Sequence, residues 1–144
     1  MLFYFSAEYS GNIDLKIYFE NLLNIYNQAW YDKDIEKLKE FYDLETNNLI
    51  YFDNHKNNDT YTVTEHLQKV GNFFKNGKQT ESGKVENLII EDFSVFANET
   101  SACLCYVAKY ESFPKPAIRT TMYAELINGK WKFKQIHCSF EPNY

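Results

Sequence analysis

Residues 117–141 read AIRTTMYAELINGKWKFKQIHCSFE, and this stretch decides the fold. Asn128-Gly129 stands between two runs that alternate apolar and polar residues. A pair so placed is the strongest short-range sign of a β-hairpin, because both residues tolerate the positive φ that a two-residue turn demands. It predicts strands over 117–127 and 130–141. Toward the N-terminus the same alternation covers Lys84–Phe96 and Ser101–Glu111. Turn residues separate these runs at Ala97-Asn-Glu-Thr100 and Phe113-Pro-Lys-Pro116.

The first half is helical. From about Asn12 to Trp30, Leu15, Tyr18, Phe19, Leu22, Ile25, Tyr26 and Ala29 recur at three- and four-residue spacing, one apolar stripe. Tyr31-Asp-Lys-Asp34 breaks it, and Asp32 is the expected cap of a short second helix through Tyr42, with Ile35, Leu38, Phe41 and Tyr42 inward. A strand over Asn48–Asp53, a polar turn at His55–Asp59 and a second short strand follow. Thr62-x-x-Glu65 is a capping box that opens a third helix, with Leu67, Val70 and Phe74 inward and Gly77 as its stop. Helices first and long strands last predict an α+β domain.

Bulk properties narrow the functional classes. At 144 residues the chain suits one domain, 1–144, and buries roughly 68–70% of its unfolded surface without staples. The net charge is −5, and Lys130, Lys132 and Lys134 are the only short basic cluster. They alternate with Trp131 and Phe133 as a solvated strand face would, so no nucleic-acid partner is expected. No stretch approaches the roughly 20 apolar residues of a membrane span. The apolar start Met1–Phe5 lacks a basic leader region and Glu8 interrupts it, which predicts a cytoplasmic protein with no membrane partner. Twelve Tyr and twelve Phe suggest an interior that is not purely oily. A base composition that also favours Lys and Asn explains them equally well. Cys103, Cys105 and Cys138 have no disulfide-framework spacing. Cys103 and Cys105 share a strand face and, with His137, could imitate part of a metal site. Zinc usually takes a fuller set, so buried structural thiols and no metal are expected.

Four features together resemble one known superfamily. The first helix ends in Tyr26-Asn-Gln-Ala-Trp30-Tyr-Asp-Lys-Asp34-Ile. The second ends in Phe41-Tyr42, before a strand finishing at Phe52-Asp53. A third helix precedes the long strands. Last come Asn128-Gly-Lys-Trp-Lys-Phe133 and His137-Cys-Ser139. In this order residues 13–141 resemble the nuclear transport factor 2-like superfamily, within it the SnoaL-like and ketosteroid-isomerase-like proteins. The resemblance implies three N-terminal helices packed on a strongly curved antiparallel sheet, a cone-shaped, cystatin-like roll that encloses a pocket. It also implies homodimers through the outer face of the sheet, which Ala102, Leu104, Tyr106 and Ala108 would supply here.

The same resemblance implies a site. Ketosteroid-isomerase-like enzymes move a proton with a carboxylate on the early strand, and Asp53 falls there. Tyr26 falls at the hydroxyl donor from the first helix, and Tyr123 replaces the second acidic donor. Strand parity adds Arg119 and Thr121 beside Tyr123, and Gln135, His137 and Ser139 on the last strand. If both faces look into the hollow, Asp53 and His137 converge as an acid–base pair near neutral pH. Simpler readings stand beside these. Asp53 suits an Asx turn, Tyr26 and Trp30 suit core packing, Arg119 could pair with a carboxylate, and His137 could be a hydrogen-bonded interior histidine. His55 and His66 look exposed. The expected function is a small-molecule-binding pocket protein taking an apolar or aromatic ligand. The alternative is an acid–base enzyme of isomerase, cyclase or dehydratase type. Neither needs a cofactor.

Overall fold

Asn128 and Gly129 take positive φ, 52° and 78°, and turn the chain between β5 (Ile118–Ile127) and β6 (Lys130–Phe140). The hairpin runs in antiparallel register from Ile127 against Lys130 to Ile118 against Phe140. This computed structural model describes residues 13–76, 87–112 and 114–142. The segment Met1–Phe5, the helix stop at Gly77, the strand start at Lys84 and the turn residue Phe113 lie outside the described residues. Ahead of the hairpin come α1 (Ile13–Tyr31), α2 (Ile35–Lys39), β1 (Asn48–Phe52), β2 (Thr60–Thr62), α3 (Val63–Asn76), β3 (Leu88–Ala97) and β4 (Ser101–Tyr110). The sheet has six strands in the order β2-β1-β6-β5-β4-β3. It is mixed rather than wholly antiparallel. The β5–β6 hairpin leaves one edge of β6 open, and β1 fills it in parallel, Ile50 beside Gln135 and Phe52 beside His137.

Local chemistry sets the helix starts. Thr62 and Glu65 form the expected capping box, with the Glu65 N–H donating to Thr62 Oγ1 at 3.1 Å. The Thr62 hydroxyl donates to Glu65 Oε1 at 3.2 Å. Asp34, not Asp32, caps α2: its Oδ1 accepts from the Lys37 N–H at 3.1 Å. Asp32 is still tied to α1, where its N–H donates to the Gln28 carbonyl at 2.9 Å. α2 stops at Lys39, and the Phe133 N–H then donates to the Phe41 carbonyl at 2.7 Å. Phe41 and Tyr42 are thereby buried beside β6 without being helical.

One stripe of α1, Leu15, Phe19, Leu23, Tyr26 and Ala29, is buried, while Ile25 is exposed. It packs on the inward face of the sheet, Phe19 against Trp131 at 5.1 Å and Tyr26 against Phe133 at 4.9 Å between ring centroids. Ala102, Leu104, Tyr106 and Ala108 of β4 are buried too. They therefore face the helices, and the outer dimer face expected of them is corrected: their apolar alternation marks the core side.

Two bulges control which side chains face inward. β5 pairs Tyr123 with Gln135 but Ala124 with Phe133, so Lys134 is an extra residue in β6. Trp131 and Phe133 are buried before it, Ile136 after it, and the strand's parity is reversed. In β3 the register shifts between Glu91 and Ser94, where Asp92 takes φ 52°. Lys134 does not share a solvated face as expected. Its Nζ lies 2.8 Å from Asp43 Oδ2, with side chains only 13% and 7% exposed. No helix among the described residues is long and apolar enough to cross a membrane.

The hydrogen bond from Lys134 is the chief reason the Asp43 carboxyl is held down to about 2. A carboxyl depressed in the fold stabilises it fully above its ordinary value, and that contribution disappears as pH falls toward the depressed one. Asp43→Asn leaves a buried ammonium unpaired and is expected to cost about 3 kcal/mol at neutral pH by urea melts. The gap from wild type should close between pH 4 and pH 2.

Candidate functional site

The last turns of α1, the end of β1, α3 and the inward faces of β3 to β6 enclose a cavity of about 130 Å³. Its buried lining includes Tyr26, Tyr106, Thr120 and Met122, with Tyr51 and Cys138 beside them. Asn27, Tyr31, Asp53, Asn54 and Asn87 form the more exposed part. Trp30, Phe73 and Tyr110 add rings to the wall.

Burial keeps the inner groups neutral. It pushes the Cys138 thiol up to about 11 and the Tyr51 and Tyr106 phenols well above their ordinary value. The Thr120 hydroxyl donates to Cys138 Sγ at 3.6 Å, and the Tyr106 hydroxyl meets Met122 Sδ at 3.5 Å. Sulfur is a weak acceptor, so both hydroxyls remain open to a better partner.

Tyr26 belongs to a buried chain of hydrogen bonds. Its Oη is 2.6 Å from Tyr42 Oη, which is 3.0 Å from His66 Nε2. His66 is 2% exposed, a correction to the expected exposed position, and its ring lies 4.5 Å from that of Tyr51. Burial lowers its pKa to about 4 and raises that of Tyr26 to about 12. At neutral pH the whole chain is uncharged.

Asp53 combines two readings kept apart in the sequence. Its N–H donates to Asp59 Oδ1 at 2.9 Å, and its Oδ2 accepts from Asn58 Nδ2 at 2.9 Å, so it does hold the loop after β1. It also lines the cavity. Of the nine residues singled out beforehand, Tyr26, Trp30 and Asp53 meet there.

The other six, Arg119, Thr121, Tyr123, Gln135, His137 and Ser139, do not line it. On β5 the buried, inward residues are Ile118, Thr120, Met122 and Ala124, which puts Arg119, Thr121 and Tyr123 outside. On β6 the bulge at Lys134 turns Gln135, His137 and Ser139 outward as well. Arg119, Thr121, His137 and Ser139 instead border a shallow depression on the outer face. Asp53 and His137 therefore do not converge. His137 pairs beside Phe52, their rings 5.8 Å apart, one residue away from Asp53 and on the opposite face. Tyr123 donates to Glu125 Oε2 at 2.8 Å. Sequence reasoning missed Tyr51, Tyr106, Thr120 and Cys138. The break from Trp131 and Phe133 to Ile136 was the available signal.

Known structures share this fold. A nuclear transport factor 2-like protein of unknown function from Pseudomonas putida superposes with a TM-score of 0.69 at 17% identity, covering 90% of this chain and 89% of that one. The chain has the nuclear transport factor 2-like fold. A candidate ketosteroid isomerase from Parabacteroides distasonis matches at TM-score 0.63 and 15% identity over 83% of this chain and 85% of that one. A candidate calcium/calmodulin dependent protein kinase II association domain from Xanthomonas campestris matches at 0.67 and 17%, over 88% and 87%. No family model and no curated protein matches the sequence.

The neutral His66 gives a second pH signature. A histidine depressed from 6.5 to about 4 stabilises the fold fully above pH 6.5, and the contribution is lost as pH falls toward 4. His66→Phe should cost about 1–3 kcal/mol at pH 7 by taking away the hydrogen-bond partner of the Tyr42 hydroxyl. Urea midpoints of this variant should fall less between pH 6.5 and pH 4 than those of wild type.

Proposed function

We propose that the cavity binds a small, neutral, partly apolar ligand carrying a carbonyl or hydroxyl oxygen. The observation that carries this reading is an aromatic-walled cavity whose buried polar groups are all neutral hydroxyls and a thiol. Aromatic rings supply area, and a few placed hydroxyls fix orientation. Size limits the class. About 130 Å³ is close to the roughly 150 Å³ that admits benzene, which supports a ligand whose buried part is about one ring.

Asp53 supports a second reading, proton transfer. A carboxylate at the cavity wall could take a proton from the carbon beside a ligand carbonyl while a tyrosine hydroxyl donates to the oxygen as charge develops there. The Asn58 amide holds Asp53 for that role. His137 has no part in it.

The outer sheet face is proposed to carry a homodimer. Ile50, Phe96 and Tyr123 are exposed on that face, 43%, 63% and 36% respectively, a set of apolar side chains that self-association would cover.

A thermal-shift screen of one-ring aromatic ketones, aldehydes and phenols tests the cavity. We expect a stabilising ligand whose affinity falls about tenfold or more in Ala108→Phe, which fills the cavity, and is unchanged in His137→Ala. A ligand that ignores a folded Ala108→Phe binds elsewhere and sinks the proposal. Deuterium exchange beside the ligand carbonyl, present in wild type and absent in Asp53→Asn, would decide for catalysis.

A further inference from the structure

Cys103 and Cys105 point outward from the middle of β4, both half-buried and free, with Sγ atoms 3.9 Å apart. Residues two apart on a strand share a face, but the strand rise holds their Cα atoms about 6.6–6.8 Å apart. That is the far edge of disulfide geometry, and near-parallel side chains cannot bring the Cβ atoms to the roughly 3.8 Å a disulfide needs. Closing the bond would break the pairing of β4 with β3 and β5.

The separation suits a bridging atom instead. A zinc–sulfur bond of about 2.3 Å places two thiolates of a tetrahedral site about 3.8 Å apart. Two vertices of such a site are therefore already set by the strand. One chain does not complete it: among the described residues no group of three or more His, Cys, Asp and Glu side chains could hold a metal. His137 lies two strands away, beyond Thr121.

The neighbours indicate where the remaining ligands come from. Cys103 sits between Phe96 on β3 and Tyr123 on β5, two exposed aromatic rings of the outer face. In a two-fold dimer the same patch meets itself, so a thiol pair beside the axis meets its own copy and two ligands become four.

We propose that Cys103 and Cys105 are half of a four-thiolate zinc site completed by a second copy of this chain. The inference rests on the homodimer reading above. The chemistry needs no oxidant: four thiols bind one Zn²⁺ and release four protons, giving a tetrathiolate complex. Zinc must displace the thiol protons, so affinity should weaken as pH falls.

The test is native mass spectrometry of the full chain after chelator treatment, with zinc chloride as the probe. The expected result is one zinc per two chains, with a dimer dissociation constant lowered about tenfold or more by the metal. Cys103→Ser and Cys105→Ser should each lose the zinc while still melting cooperatively, and Cys138→Ser should keep it. A dimer that takes up no zinc overturns the site and leaves the dimer standing. One zinc in a single chain also overturns it. A chain that stays monomeric with and without zinc overturns both.

Discussion

Lys134 is the residue that β6 carries in excess of β5, and its ammonium is held 2.8 Å from Asp43 with little exposure of either side chain. Lysine is almost never buried unless it is paired. The pair therefore does more than add attraction. It ties the segment after α2 to the one point where β6 leaves regular register, and Thr46 Oγ1 accepts from the same ammonium at 3.2 Å. With the bulge in place, Trp131 and Phe133 pack under α1 while Ile136 and Cys138 face the cavity. Were Lys134 taken into a regular ladder instead of a bulge, a single alternation would send Ile136 and Cys138 outward and bring His137 in. The chemical character of the cavity thus depends on the bulge that sets Lys134 aside and on the carboxylate that holds it there.

The inside of the cavity is short of charge for the same reason that it is enclosed. Tyr26, Tyr51, Tyr106 and Cys138 all sit where ionisation would require burying a charge, and desolvation is the largest influence on each. His66 obeys the rule from the other side, being a base that stays unprotonated. Neutral imidazole carries one proton on two nitrogens. Its tautomer fixes the direction of the chain through Tyr42, and with it whether the Tyr26 hydroxyl gives its proton to Tyr42 or keeps it for the cavity. A donor so placed is set before any ligand arrives, and preorganised donors lose least on binding.

Much of this was legible in the sequence. The Asn128-Gly129 turn, the capping box at Thr62 and Glu65, and the α1 stripe each follow a local rule, and each formed as the rule requires. The order of helices and strands gave the fold class. The site was legible only where a residue's position depends on its own element: Tyr26 and Trp30 on the α1 stripe, Asp53 at the end of β1. It was not legible where position depends on register between strands. On β5 the more apolar set, Ile118, Thr120, Met122 and Ala124, should have been assigned inward ahead of Arg119, Thr121 and Tyr123. On β6 no single alternation is consistent with the burial of both Phe133 and Ile136, and only a bulge reconciles them. The parallel place of β1 beside β6 is a contact across 85 residues of separation, from Ile50 to Gln135, which no local pattern encodes.

The exchange of the two faces also changes what the outer one can be. A face carrying Ala102, Leu104 and Ala108 would have been an ordinary greasy contact, and those residues are core. What lies outside is Cys103, Cys105, Val107, Arg119, Thr121 and His137, a mixture that core packing does not explain. On a two-sided sheet, side chains are buried on one face by the fold itself. On the other, a half-buried thiol pair sits beside exposed aromatics. The bulges therefore sort the chemistry of this chain into two separate places: neutral hydrogen bonding within, and the thiols and imidazole without. Within one chain Asp53 lines the cavity and His137 borders the outer depression, on opposite faces of the sheet.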